Sequence, residues 1–118
     1  MVIIMELIPL LGKRYVKEIL RVLDEHGPLN YGRLKKLSGC PDGTLTHRLN
    51  ELEEAGLVKT YEKKSRYRLP QRICKITNLG KKALVLYEID EELTQLGENQ
   101  KIEYHIVSDT PEQHPTTT

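Results

Sequence analysis

The first 60 residues alternate between stretches of regularly spaced apolar side chains and short polar turns. Between residues 12 and 26, apolar side chains recur every three or four positions with charged residues between them, which predicts an amphipathic helix. A Gly-Pro pair ends this helix, and Asn30 is placed to cap a short second helix. After a turn that contains proline, a third helix is predicted over residues 42–55, with Asp42 as its N-cap.

The third predicted helix has two contrasting faces. Leu45, Leu49 and Leu52 form a stripe with the i, i+4, i+7 spacing of a buried face. At 100° per residue, Gly43, His47 and Asn50 point away from this stripe, and Thr44, Thr46 and Arg48 lie on its flanks. The outer face at the N-terminal end is therefore small, polar and able to form hydrogen bonds.

A basic hairpin is predicted to follow this helix. Residues 57–62 and 73–77 are rich in β-branched and apolar side chains and are interpreted as two strands. The intervening residues 63–72 are interpreted as a cationic loop, and residues 59–75 contain seven Lys or Arg and one acid. Three helices followed by a basic hairpin predict an α+β fold, the winged helix-turn-helix, with a three-helix core and a two-stranded wing.

The C-terminal part of the chain has a different pattern. A fourth amphipathic helix is predicted over residues 78–97, capped by Thr77 or Asn78. Its heptad-like apolar positions predict dimerisation through Leu79, Ala83, Leu86, Ile89, Leu93 and Leu96. The expected organisation is a winged helix-turn-helix region with an N-terminal apolar arm (1–77), this helix (78–97), and a tail (98–118) that is disordered from about residue 108.

Composition and charge exclude several classes of function. With 118 residues, one domain is expected. No arrangement of catalytic, metal-ligating or phosphate-cradling residues is found, so neither an enzyme nor a cofactor is expected. Cys40 and Cys74 lack metal-ligand spacing and are interpreted as buried apolar residues, with redox sensing as the alternative. The apolar run over residues 1–11 is too short for a membrane span and lacks signal-peptide features, so a cytoplasmic protein is expected.

The net charge of +1 conceals an asymmetry between the two ends of the chain. Residues 1–75 carry 15 Lys or Arg against 9 Asp or Glu, whereas residues 76–118 carry 3 against 8. This separation indicates a basic face for a polyanion and a different role for the C-terminal part.

Several blocks of the sequence together resemble those of known regulators. They are Leu11-Gly12-Lys13, Gly27-Pro28-Leu29-Asn30-Tyr31-Gly32-Arg33-Leu34-Lys35-Lys36, Gly39, the run from Thr44 to Val58, and Ile76-Thr77-Asn78-Leu79-Gly80. In this register the chain resembles winged-helix transcriptional regulators, most closely the HxlR family. The resemblance covers roughly residues 11–87, and it implies a homodimer that binds double-stranded DNA at a pseudo-palindromic operator.

The expected DNA contacts follow from the size of the grooves. Only the major groove of B-form DNA admits a helix, so the third helix is expected there. Asn50 is suited to pairing with adenine, and the basic wing is expected along phosphates or in the minor groove. The full set of expected contact residues is Tyr31, Arg33, Gly43, Thr44, Thr46, His47, Arg48, Asn50, Lys63, Lys64, Ser65, Arg66, Arg68 and Arg72.

Alternatives remain at two levels. Tyr31 is alternatively a core aromatic residue, and His47 is alternatively a solvated surface residue or a pH or metal switch. For the whole chain, the alternatives are a protein-interaction module of a multi-subunit assembly and a sequence-independent DNA-binding protein. The expected partners are DNA and a second copy of the chain but no membrane, and no sequence pattern indicates a small-molecule effector.

Overall fold

A computed structural model describes residues 3–66 and 68–107 of the chain. These residues form five helices and three strands. In chain order the elements are α1 (Ile3–Leu11), α2 (Val16–His26), β1 (Leu29–Asn30), α3 (Tyr31–Ser38), α4 (Asp42–Glu54), β2 (Val58–Ser65), β3 (Arg68–Ile76) and α5 (Asn78–Val107). The strands form one antiparallel sheet in the order β1-β3-β2. The predicted α+β winged-helix fold is confirmed, with β1 as an additional short strand.

The chain divides into two compact units, Met1–Val85 and Leu86–Thr118. The hydrophobic core lies in the first unit, where α2, α3, α4 and the sheet contribute side chains that are almost fully buried. These include Val16, Ile19, Leu20, Leu23, Leu34, Leu45, Leu49, Leu52, Leu57, Val58, Cys40 and Cys74. In the second unit, the described residues belong to the distal part of α5 alone.

The N-terminal starts of α3 and α5 agree with the known preferences for N-cap residues. Asn30 is the N-cap of α3, and its side-chain oxygen accepts a hydrogen bond from the backbone N–H of Arg33 at 2.8 Å. At the start of α5, the Thr77 hydroxyl accepts a hydrogen bond from the N–H of Gly80 at 3.0 Å, so Thr77 is the cap.

The start of α4 differs from its prediction. Pro41, with φ −64° and ψ 155°, is the N-cap, and Asp42 is the first helical residue. The fixed φ of proline suits this position, and its missing N–H costs nothing outside the helix. The carboxylate of Asp42 instead accepts a hydrogen bond from Lys35 Nζ on α3 at 3.1 Å.

The predicted loop over residues 63–72 is wrong for most of its length. Strand β2 continues to Ser65 and β3 begins at Arg68, so the two strands take up most of the predicted loop. Pairs such as Glu62–Arg72 and Lys63–Gln71 continue the ladder, with a register shift between Lys63 and Ser65. Backbone hydrogen bonds between the strands do not depend on side-chain polarity, and solvated edges tolerate charged residues.

Both ends of the chain contain more helix than predicted. The apolar arm forms α1, and α5 continues through Gly97 to Val107, so the predicted helix end at residue 97 is wrong. A glycine costs a helix only about 1 kcal/mol, and no proline follows it closely here. The expected disorder from residue 108 lies outside the described residues. Within residues 3–66 and 68–107, no helix is long and apolar enough to cross a bilayer.

Candidate nucleic-acid interface

The outer face of α4 is open to solvent near its N-terminal end. Gly43, Thr46, His47 and Asn50 are exposed, and Thr44 is half-buried on the flank. The opposite face carries the three leucines, which are 0–3% exposed. The prediction that polar residues face outward from this helix is therefore confirmed.

Tyr31 connects α3 to the first turn of α4. Its hydroxyl donates to the backbone oxygen of Asp42 at 2.8 Å and lies 3.1 Å from the Thr46 hydroxyl. The ring is half-buried, so Tyr31 is neither a fully buried core residue nor a free surface group. Arg33, two residues further on, is exposed. The hydroxyl of Tyr31 thus holds α4 at the end where its polar outer face begins.

Arg48 is directed into the protein rather than outward. Its guanidinium Nε donates to the Arg14 carbonyl at 3.1 Å, and another guanidinium nitrogen donates to Glu51 at 3.1 Å. Only 18% of its side chain is exposed. The physical reason is that the turn between α1 and α2 presents a carbonyl beside this flank of α4. A contact between Arg48 and DNA stays a prediction, but the structure gives this side chain a role in packing the helix.

Glu51 interacts with Arg48 and with two further side chains, Lys13 and His47, and these four residues are called the anchoring group of α4 below. Its carboxylate accepts a hydrogen bond from Lys13 Nζ at 2.5 Å, and His47 Nε2 lies 3.8 Å away. The hydrogen bond from Lys13 lowers the pKa of Glu51, and the charges of Lys13, His47 and Arg48 act in the same direction against a desolvation that raises it. Lys13 and Glu51 were missed by the sequence reasoning. The i, i+3 spacing of Arg48 and Glu51 could have predicted their ion pair from the sequence. The contact between Lys13 and Glu51 could not have been predicted, because these residues are 38 positions apart in the chain.

The wing presents several exposed cations, but Arg72 is set apart from them. Lys63, Lys64 and Arg66 are exposed near the turn of the hairpin. Arg72 lies further along β3, where its guanidinium is 3.4 Å from Glu53 on α4. The same carboxylate accepts a hydrogen bond from the Thr60 hydroxyl at 2.9 Å. Arg72 thus belongs to the junction of the sheet with α4. The side chains of Ser65 and Arg68 lie outside the described part.

Both cysteines are buried, as the sequence predicted. Desolvation raises the pKa of the Cys74 thiol to about 11 and also raises the pKa of Cys40. Thiolates are the reactive form of cysteine, so burial disfavours redox chemistry at both positions. Among the described residues, no group of His, Cys, Asp and Glu side chains is arranged to hold a metal ion.

The predicted dimerisation residues separate into buried and exposed sets. Ala83 is only 4% exposed and packs within the first unit, which corrects its expected place on an open seam. The cause is the close approach at Gly80, where an added Cβ would lie 2.3 Å from the Leu57 carbonyl oxygen, so this face of α5 is pressed against its own core. Leu79 remains 48% exposed. In the second unit, Leu86, Ile89, Leu93 and Leu96 are 41–62% exposed.

Comparisons with known proteins agree with this geometry. A family model described as a helix-turn-helix domain matches residues 11–61. The uncharacterized protein MJ0944 of Methanocaldococcus jannaschii is 38% identical over 102 residues, which cover 86% of this chain and 85% of that protein. The uncharacterized HTH-type transcriptional regulator MJ0361 of the same organism is 29% identical over 106 residues, 88% of this chain and 98% of that protein.

A solved structure supports the same fold. The reduced form of the transcriptional regulator YodB from B. subtilis matches with a TM-score of 0.65 and 23% identity, over 74% of this chain and 83% of that chain. At this level of identity the likeness concerns the fold alone. The shared fold extends over about three quarters of this chain.

Proposed function

We propose that this chain, which belongs to the same protein family as MJ0944 and contains a helix-turn-helix domain, is a sequence-specific DNA-binding transcriptional regulator. The observation that carries the proposal is the solvent-facing N-terminal half of α4. An exposed helix face of small and hydrogen-bonding residues, next to a basic hairpin, is suited to the major groove and its flanking phosphates. The printed description of MJ0361 as an HTH-type regulator points in the same direction. The motif blocks support a finer assignment to the HxlR type.

The two parts of this surface are assigned different roles. Thr46, His47 and Asn50 on α4 contact base edges, with Asn50 suited to adenine. The exposed cations Lys63, Lys64 and Arg66 contact phosphates, which supplies affinity without reading sequence. Because Arg48 and Arg72 already bind carboxylates of α4, they position the helix in this scheme rather than add to its charge.

The protein acts as a homodimer in this proposal, joined through the distal part of α5. Leu86, Ile89, Leu93 and Leu96 alternate at spacings of three and four residues, which is the pattern of a two-stranded seam. Their exposure in the single chain leaves an apolar surface that a second copy of the same stripe would cover. A two-fold dimer places its two α4 helices on two half-sites, so a pseudo-palindromic operator is expected.

The direct test is fluorescence anisotropy with a duplex from upstream of the protein's own gene and a scrambled duplex of equal length. Titrations at about 50 and 200 mM salt separate the phosphate contribution from base recognition. A preference of at least about 10³-fold for the first duplex at the higher salt is expected of a specific regulator. Equal binding to both duplexes would contradict sequence specificity. Binding to neither would favour a protein-interaction module.

Two variants then separate the assigned roles. Arg66→Ala should weaken binding to both duplexes and reduce the slope of log K against log salt by about one, with Lys82→Ala as the control. Asn50→Ala should relax the preference at one base pair of each half-site by about 1–3 kcal/mol and leave the salt slope unchanged. An unchanged selected motif would remove Asn50 from the base-reading residues.

The dimer is tested independently of DNA. The double variant Leu86→Glu/Leu93→Glu should sediment as a monomer at concentrations where the parent chain is a dimer, because both charges would enter the apolar seam. Glu92→Lys changes charge beside the stripe without entering it and is the matched control. A monomeric parent chain would contradict the homodimer directly.

A further inference from the structure

A groove of about 450 Å³ opens between the end of α2, the base of the sheet and the start of α5. Its lining includes three exposed lysines, Lys59 on β2, Lys75 on β3 and Lys81 on α5. Asp24 is the one acidic residue of the lining. The groove lies wholly in the first unit of the chain.

Two of these lysines are placed opposite each other by the strand register. Lys59 pairs with Lys75 across β2 and β3, so their side chains share one face of the sheet. Directly opposed residues have Cβ atoms about 4.5–5.5 Å apart, and like charges in such positions are destabilising. In the described part of the chain, no carboxylate forms an ion pair with Lys59, Lys75 or Lys81. The arrangement therefore concentrates positive charge, which Asp24, the acidic residue of the lining, offsets only in part.

The groove faces away from the candidate DNA-reading helix. The neighbouring pair, Thr60 and Cys74, points to the opposite face of the sheet, and Thr60 donates to Glu53 on α4. Because successive strand residues alternate between faces, Lys59 and Lys75 project from the side that does not meet α4. This position separates the groove from the surface assigned to DNA.

We propose that this groove binds a small organic phosphate. Three ammonium groups and one carboxylate leave two positive charges, which match the charge of about −1.5 to −2 on a phosphate monoester at pH 7. Lysine binds phosphate as a point charge, and the start of α5 adds the partial positive charge of a helix N-terminus beside Asn78. Pro28, which is exposed at the rim of the groove, supplies an apolar contact for the organic part of the ligand. The volume falls within the range of about 300–1,000 Å³ that is usual for small-molecule sites.

The test uses the full chain without DNA and two probes that differ in their anionic group, phenyl phosphate and benzoate. Calorimetric titrations at constant ionic strength should show phenyl phosphate binding at least about tenfold more tightly, because its second charge uses the additional lysines. Equal affinity for the two probes would overturn the proposal. So would an absence of phenyl phosphate binding.

Matched lysine variants locate the site. Lys81→Gln should weaken phenyl phosphate binding by about tenfold, the scale for losing one charged hydrogen bond, whereas Lys82→Gln should not. Lys82 is also exposed on α5 but does not line the groove. If both variants weakened binding equally, the ligand would be responding to the overall charge of the protein and not to a localised site, and the proposal would be overturned.

The opposed lysines, Lys59 and Lys75, allow a second test, in which a substitution weakens ligand binding but stabilises the unliganded chain. The double variant Lys59→Gln/Lys75→Gln should raise the melting temperature of the unliganded chain, because the repulsion is removed, and should abolish the thermal shift caused by phenyl phosphate. A lower melting temperature together with a retained shift would contradict the proposed cause. Displacement of phenyl phosphate by a short duplex would assign the lysines to the DNA surface and overturn the small-ligand site. Since the other measurements contain no DNA, failure of the groove leaves the proposed regulator untouched.

Discussion

Helix α4 and the distal part of α5 carry similar apolar stripes with opposite burial. In α4, Leu45, Leu49 and Leu52 are 0–3% exposed. In α5, leucine and isoleucine at comparable spacing, from Leu86 to Leu96, are 41–62% exposed. The first stripe packs in the core of one compact unit, whereas the second belongs to a unit whose described residues form a single helix. Periodicity thus predicts an apolar face and does not identify what covers it.

Truncating one leucine in each stripe should produce the largest contrast. Leu52→Ala should lower the free energy of unfolding by about 2–5 kcal/mol, since it removes buried contacts and leaves a cavity. Leu93→Ala should have a much smaller effect in dilute protein, because Leu93 is 62% exposed within its own chain. Urea denaturation at two protein concentrations measures both effects. If the stripe of α5 is a dimer seam, only the Leu93 variant should show a loss of stability, relative to the parent chain, that grows with protein concentration. Equal losses of stability for the two variants in dilute protein would contradict the comparison.

Two glycines within α5 should respond in opposite directions to the same substitution. At Gly80 an added Cβ would lie 2.3 Å from the Leu57 carbonyl oxygen and 2.6 Å from Ile76, so Gly80→Ala should cost about 1–3 kcal/mol through overpacking. At Gly97 an added Cβ would meet no described atom within 4 Å apart from its chain neighbours and the backbone of its own helix, so Gly97→Ala should stabilise the helix by up to about 1 kcal/mol. Thermal unfolding and helical circular dichroism measure both variants. A destabilising Gly97→Ala would show that the distal helix is packed closely in solution.

The polar flank of α4 should contribute a smaller, pH-dependent effect. The hydrogen bond from Lys13 lowers the pKa of Glu51 in the folded protein, so this carboxyl releases its proton more readily there than in the unfolded chain. Its contribution to stability is full above the ordinary pKa of 4.5 and is lost as the pH falls through the lower pKa of the folded state. A partly exposed pair of this kind is worth about 1 kcal/mol or less.

Denaturation between pH 7 and pH 3 tests this contribution. Glu51→Gln should remove part of the acid-dependent loss of stability, and Glu54→Gln, an exposed position on the same helix, is the control. Identical pH profiles for Glu51→Gln and the parent chain would show that the anchoring group does not contribute. The difference in stability between α4 and the distal part of α5 would then be due to the burial of their apolar stripes alone.

The parts of the fold predicted correctly depend on neighbours in the chain. Asn30 caps α3 through a residue only three positions away, and the leucine stripe of α4 is defined within ten residues. Errors arose where contacts between separate segments override the local pattern. The hairpin is longer than predicted because pairing such as Lys63–Gln71 stabilises backbone that looks like a loop from its charge. Arg48, predicted on a flank of α4, donates to the carbonyl of Arg14, which lies 34 residues earlier in the chain, and the sequence does not show this contact.

The sequence by itself determined the succession of α2, α3, α4, β2, β3 and α5, the buried stripe of α4 and the polar character of its outer face. These features follow from helix and strand periods and from capping, which act over a few residues. Only the tertiary structure decided that Ala83 is buried, that Lys13 meets Glu51, and that Lys59, Lys75 and Lys81 share one groove. Each of these depends on the distance between residues far apart in the chain, and that distance is set by how the whole core packs.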